Sequence, residues 1–398
     1  MVQTGLDVLL RERSSLLRGR RVGVLCHPAS VDGRLRHIVD ALRAESIDVV
    51  RLFGPEHGIR GEAQDMIGVD SARDFRTGIP VVSLYGDRFE SLSPTREALV
   101  DLDVLVVDLQ DVGSRYYTFI WTMALCLQAA AAAGAAVVVL DRPNPIGGDT
   151  VEGGYIDRGF ESFVGLGSIP VRHGLTIGEV ARLVRAGLPW GGERFATSID
   201  CSLEVVPMKG WQRKDHFDAT RLPWVLPSPN MPTPETALVY PGMCLLEGTN
   251  ISEGRGTTRP FELFGAPFVD GYRLAEDLAQ EQLPGVAFRP LSFRPTFHKF
   301  AGQVCGGVQI HVTNRSDFRP YLTGIAIVRA LKNLAGTAFA WRTEKYEFVS
   351  DRPAIDLLTG GEQIRKGIDG GVSLAELLAT WRTGQDDFRQ RRADCLIY

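Results

Sequence analysis

The sequence is poor in the residues that announce metal, redox and nucleotide chemistry. Six cysteines and seven histidines are scattered through 398 residues, with no CxxC and no HxxxH pair. Structural zinc and thioredoxin-type chemistry therefore lack a signal. Cys26 and Cys126 lie in apolar runs and read as buried thiols. Positive charge is not in excess either: Lys+Arg 44 against Asp+Glu 48 leaves a formal charge of −4. That argues against a dedicated nucleic-acid or polybasic membrane binder. The basic start MVQTGLDVLLRERSSLLRGRR is followed by no apolar core, so no signal peptide is expected and a cytoplasmic location is the default. The longest apolar stretch, 125–140, is broken by Gln128 and Gly134 and is too short for membrane insertion. The phosphate-cradling GxGxxG does not follow the first apolar run. GxxxxGK[ST] and GxSxG are missing altogether. No cofactor and no metal are expected.

What is present is an ordinary globular balance, 44% hydrophobic and 23% charged, at a length suited to two or three domains. Short apolar runs at 21–26, 48–53, 80–85, 103–109 and 136–141 read as strands. They lack period-two alternation, as strands buried on both faces do. Helical patterns fall at 34–43, 94–102 (with Ser93 as N-cap and Pro94 at the first position), 117–133 and 177–186. Strand–helix–strand order implies an α/β fold with a Rossmann-like parallel sheet. A proline-rich stretch, 222–235, reads as an extended crossing segment. It divides a Rossmann-like N-terminal domain, 1–228, from a smaller α+β C-terminal domain, 229–398. The second half carries a strand pattern at 306–313 and helical patterns at 322–334 and 374–391.

Each N-terminal strand runs into polar or Gly/Pro-rich residues: Cys26-His27-Pro28, GPEHG (54–58), Tyr85-Gly86-Asp87, DLQDVGSRYY (108–117) and DRPNPIGG (141–148). In an open parallel sheet these ends face one edge, where ligands bind. The expected site is assembled from these five loops and holds Glu56-His57, Gln110-Asp111 and Arg142-Asn144. Its chemistry is carboxylate-rich: Glu56, Asp108 and Asp111, with Glu247 and Glu253 in a Gly-rich loop of the second half. Paired carboxylates serve glycoside hydrolysis, one protonating the leaving oxygen and the other acting as base or nucleophile. Phe53, Tyr116, Tyr117 and Trp121 can supply the apolar wall that such an acid and a sugar ring need. Plainer readings stand beside these. Glu56 can be a cap or an ion-pair partner, Asp111 a helix cap, and Asp141-Arg142 an internal pair. Residues 253–258 can be an ordinary turn or an anion pocket around Arg255.

GPEHGIRG (54–61), DLQDVGSRYYTF (108–119), DRPNPIGG with VEG following (141–153), PSPNMPT (227–233) and EGTNISEGRGTTRPFE (247–262) together resemble the bacterial DUF1343 family. Its characterised branch comprises exo-acting β-N-acetylmuramidases, glycoside hydrolase family 171. The resemblance runs from about residue 5 to 398. It implies an active-site cleft between the two domains and release of N-acetylmuramic acid from the non-reducing end of peptidoglycan fragments. It further implies a small carbohydrate as the partner and Glu56 as the catalytic acid/base. Asp111, Glu247 and Glu253 are the candidates for a second catalytic group, unless the substrate's own acetamido group attacks. The lactyl carboxylate of muramic acid calls for a cation, and Arg115, Arg255 and Arg259 are the motif arginines. His57, Gln110, Tyr116, Tyr117, Arg142, Asn144, Asn250 and Thr257 complete the expected substrate-binding set. Family members are often exported, which this start does not indicate. The alternatives are a glycosidase for another amino sugar and a non-catalytic sugar- or nucleotide-binding module.

Overall fold

A computed structural model describes residues 1–61, 72–189 and 194–398. In the first half, β1 (Arg21–Cys26), β2 (Asp48–Gly54), β3 (Ala72–Arg73), β4 (Pro80–Ser83), β5 (Val104–Asp108), β6 (Ala136–Leu140) and β7 (Leu203–Val206) form one sheet. Its order is β3-β4-β2-β1-β5-β6-β7, and every pairing except β3 with β4 is parallel. All five residues of β5 are buried, so an unbroken apolar run was the right signature for it. Helices Phe119–Ala133 and Ile177–Ala186 pack on this sheet.

The chain builds outward from β1 through β2 to β4, then returns to lay β5 on the other side of β1. Strand order thus reverses between β1 and β5, where an open sheet usually offers a ligand crevice. Here the crevice is plugged. His27, at the end of β1, is fully buried; its Nε2 accepts the Gln110 N–H at 2.9 Å and its Nδ1 faces the Pro227 carbonyl at 3.2 Å. Burial, reinforced by the nearby Arg142, pulls its pKa down to about 3 and keeps the ring neutral.

In the second half, β8 (Leu263–Ala266), β9 (Val286–Phe293) and β10 (Cys305–Val312) make an antiparallel sheet in the order β8-β10-β9. Helices Pro234–Met243 and Pro320–Ala335 cross at two glycines. A Cβ on Gly324 would stand 2.3 Å from the Gly242 carbonyl oxygen, so only glycine permits this approach. One apolar core runs through both halves, from Phe53, Trp121 and Val139 to Tyr321, Ile355 and Trp381. All six cysteines are free and buried. Among the described residues no helix is long and apolar enough to cross a membrane.

Several expectations need correction. Residues 94–102 are turns rather than a helix. The start of that segment closes short bonds from Ala98 to Thr95 and from Leu99 to Arg96. Near its end Asp101 bonds Arg51, and Asp103, just beyond it, accepts the Arg21 N–H. β8 and β9 carried no legible signal. β9 is an edge strand that contains Pro290, which an edge tolerates. The proline-rich stretch is irregular only to Thr233, which caps a helix that has Pro234 at its first position.

Candidate active site

β2 delivers Glu56. Directly after the strand, Gly58 N–H bonds the Pro55 carbonyl at 2.9 Å, and His57 and Gly58 both take positive φ, 71° and 77°. Two successive left-handed residues turn the chain sharply; glycine adopts this freely and histidine rarely does. The turn leaves Glu56 6% exposed, with Oε2 accepting the Thr118 hydroxyl at 2.8 Å. Thr118 immediately precedes helix Phe119–Ala133, so the carboxylate is fixed to a rigid element.

Glu56 and His57 line a pocket between the two halves. One wall is aromatic. Tyr117 meets Tyr240 edge-on at 5.8 Å, and Tyr240 meets Phe261 at 4.9 Å. Burial pushes the Tyr117, Tyr240 and Tyr346 hydroxyls well above their ordinary range, so they remain neutral hydrogen-bond donors. The proline-rich segment adds Ser228, Asn230 and Met231.

A charged part of the wall, adjoining the aromatic one, comes from the C-terminal half. Glu247 accepts Arg255 Nη2 and the Tyr346 hydroxyl, each at 2.7 Å. The Arg255 guanidinium also lies over the Phe261 ring at 5.0 Å and 3.4 Å from Glu253. Glu253 is fully buried beneath it, with Lys299 at 2.9 Å and His298 at 3.1 Å. Burial opposes its charge, but Lys299, the His298 hydrogen bond and Arg255 outweigh burial and hold its carboxyl well below the usual range. Glu347, 5% exposed, completes the wall and accepts the Tyr85 hydroxyl at 3.3 Å.

Of the residues singled out in the sequence, Glu56, His57, Tyr116, Tyr117, Glu247 and Arg255 line this pocket. The others do not. Asp111 accepts the Gly113 N–H at 2.7 Å, closing a local turn rather than capping a helix, and lies 3.6 Å from His173. Glu253 sits behind Arg255. Arg115 is wholly buried, its guanidinium donating to the carbonyls of Gly154, Ile169 and Leu358. Arg142 pairs with Asp108 rather than with Asp141, through Nη2 at 2.8 Å. Gln110 donates to the carbonyls of Asp111 and Pro143, and Asn144 to that of Leu175. Gln110 and Arg142 border a separate hollow. Asn250 bonds the backbone at Ala338 and Ala340, Thr257 bonds the Gly254 carbonyl, and Arg259 pairs with Glu262. Two of the five strand-end loops supply the lining, those after β2 and β5.

Sequence reasoning missed Ser228, Asn230, Tyr240, Tyr346 and Glu347. PSPNMPT drew attention as a motif, and polar residues spaced between prolines were the signal for Ser228 and Asn230. Glu347 had none, since its segment reads as an unremarkable polar loop.

A two-domain α/β protein whose seam holds buried carboxylates against edge-on tyrosines belongs, as a class, with the carbohydrate hydrolases. Comparison sharpens this. A family model for the N-terminal part of exo-β-N-acetylmuramidase NamZ matches residues 22–235, and one for its C-terminal part matches 238–398. The chain therefore belongs to the NamZ family of exo-β-N-acetylmuramidases. It is 46% identical to the peptidoglycan β-N-acetylmuramidase NamZ of Bacillus subtilis (strain 168), over 100% of this chain and 91% of that protein. It is also similar to two crystal structures of DUF1343 family proteins from Bacteroides fragilis NCTC 9343. These have TM-scores of 0.88 and 0.78 at 34% and 28% identity, and each alignment covers 100% of this chain and 99% of the other.

Proposed function

We propose that this protein removes N-acetylmuramic acid from the non-reducing end of peptidoglycan fragments such as MurNAc-β-1,4-GlcNAc, with Glu56 as the proton donor. The observation that carries the reading is Glu56 itself: a carboxyl at the cleft wall, 6% exposed and hydrogen-bonded to Thr118. A carboxyl held in a cleft against aromatic side chains is the residue type that general-acid cleavage of a glycosidic bond requires. Family membership supports the substrate class. Among the described residues lining the pocket, Arg255 is the one lysine or arginine, and it is the natural receptor for the lactyl carboxylate. Glu247 and Glu253 orient its guanidinium.

The test is release of N-acetylmuramic acid from the disaccharide by wild type and by Glu56→Gln. Wild type turns over; the variant binds the disaccharide and does not cleave it. Cleavage at the wild-type rate by Glu56→Gln removes Glu56 from the chemistry.

A further inference from the structure

The backbone around Glu347 is built against its own preferences. Tyr346 and Val349 exchange both backbone hydrogen bonds, at 2.8 and 2.9 Å, so Glu347 and Phe348 are the two central residues of a tight hairpin turn. Both have positive φ, 44° and 72°. Such turns favour Asn-Gly or Gly-Gly, because side chains with a Cβ are disfavoured there. A Glu-Phe pair in this place is strained, and strain of this kind gathers at functional sites.

Neighbouring contacts show what holds the turn. Phe348 inserts among aromatic rings of the N-terminal half, with ring centroids 5.8 Å from Tyr85, 6.1 Å from Phe89 and 6.3 Å from Phe163. Tyr346, before the turn, donates to Glu247. With its neighbours fixed on either side, Glu347 is aimed from the C-terminal half into the pocket that Glu56 enters from the N-terminal half. Tyr85 holds its Oε2.

We infer that Glu347 is the second catalytic carboxylate, facing the anomeric carbon while Glu56 protonates the leaving oxygen. This rests on the hydrolytic reading above. The bond from C1 of the muramyl residue to the glycosidic oxygen breaks. Its electron pair stays on that oxygen, which takes the proton of Glu56. A water oxygen bonds to C1 and sheds one proton to Glu347, whose negative charge offsets the positive charge developing at C1. The sum is disaccharide plus water giving two free sugars, and proton exchange with solvent resets the two carboxyls. Tyr85 is a positioning residue that acts through Glu347.

The experiment compares wild type, Glu56→Gln, Glu347→Gln and Glu347→Gly on the disaccharide and on 4-nitrophenyl β-N-acetylmuraminide, with and without sodium azide. Nitrophenolate leaves without protonation, so Glu56→Gln recovers much of its rate on that substrate while the Glu347 variants do not. Loss in the Glu347 variants is expected at roughly 10²–10⁴-fold on both substrates. Glycine suits the left-handed turn, so Glu347→Gly melts at or above the wild-type temperature, which separates lost chemistry from lost fold. Azide then enters the space left by the carboxylate, bonds to C1 and yields the α-configured muramyl azide. Activity of Glu347→Gly within tenfold of wild type overturns the inference. So does a lost activity that azide neither restores nor diverts into the glycosyl azide. Full activity of Glu56→Gln on the disaccharide overturns the hydrolytic reading instead, whatever the Glu347 variants do.

Discussion

The carboxyl edge of the large sheet has two halves that are alike in composition and opposite in use. After β2 the chain turns through His57 and Gly58 and opens Glu56 to the cleft. In the loops after β1 and β6, and in the first residues after β5, the chain is at least as polar, yet these groups consume one another. His27 bonds Gln110, Arg142 pairs with Asp108, Asp111 closes on Gly113, and Asn144 reaches Leu175. A polar side chain at a strand end is therefore evidence of a site only when the fold turns it to a cleft rather than into its neighbouring loops. The same contrast separates two arginines from the motifs. Arg115 spends its guanidinium on backbone carbonyls, whereas Arg255 stands at the cleft wall between oriented carboxylates.

The largest effect should come from the open half. Glu56→Gln is expected to lower kcat on the disaccharide by roughly 10²–10⁴-fold with an unchanged melting curve. If it also unfolds the protein, the contrast between the halves fails. On the plugged half the effect should be on stability. Arg142→Ala leaves Asp108 buried and unpaired, at a cost of roughly 3–5 kcal/mol in urea denaturation, while the folded fraction keeps the wild-type KM.

A pH series sharpens the comparison further. His27 stays neutral in the fold down to about pH 3, whereas the unfolded chain protonates it below roughly 6.5. The unfolded state thus binds more protons in that window, so the His27 contribution is complete above pH 6.5 and is lost as pH falls. Asp141, raised by burial to about 6, runs the other way: its contribution is complete below the unfolded value and is lost as pH rises through about 6. The expected signature is therefore a difference. Denaturation midpoints of wild type and His27→Gln should converge as pH drops from 7 toward 4. The smallest effect is Asp111→Asn, which weakens one turn bond and should shift stability by about 1 kcal/mol without changing kcat.

Much of the fold was legible because burial writes itself into local pattern. β1, β5 and β6 are nearly unbroken apolar runs, β2 is interrupted by Arg51, and helix Leu374–Arg391 lies where its pattern placed it. The helix expected at 94–102 gave way to turns where Asp101, and Asp103 just beyond it, answer to distant partners. The place of Glu56 in the pocket lining was readable because glycines bracket it at 54 and 58, and glycine placement is a local fact. Glu347 was not, because its meaning lies in the three aromatic rings that seize the next residue from another part of the chain. Asp111, Arg115 and Glu253 stand outside the pocket lining for the complementary reason: residue type shows capacity, and only the fold shows how much of that capacity is already taken.

The continuous core has a consequence for how this architecture can be rebuilt. Arg115 reaches Leu358, Tyr116 reaches Pro241, and apolar packing passes through the seam without a break. The two halves are therefore not interchangeable parts. A hybrid joining the first half of this chain to the second half of a relative would inherit mismatched side chains along the whole seam. In calorimetry it should show a broadened or split transition where the parent melts as one unit. Variation within such a lineage should accumulate in paired steps across the seam, each change on one side waiting for its counterpart on the other.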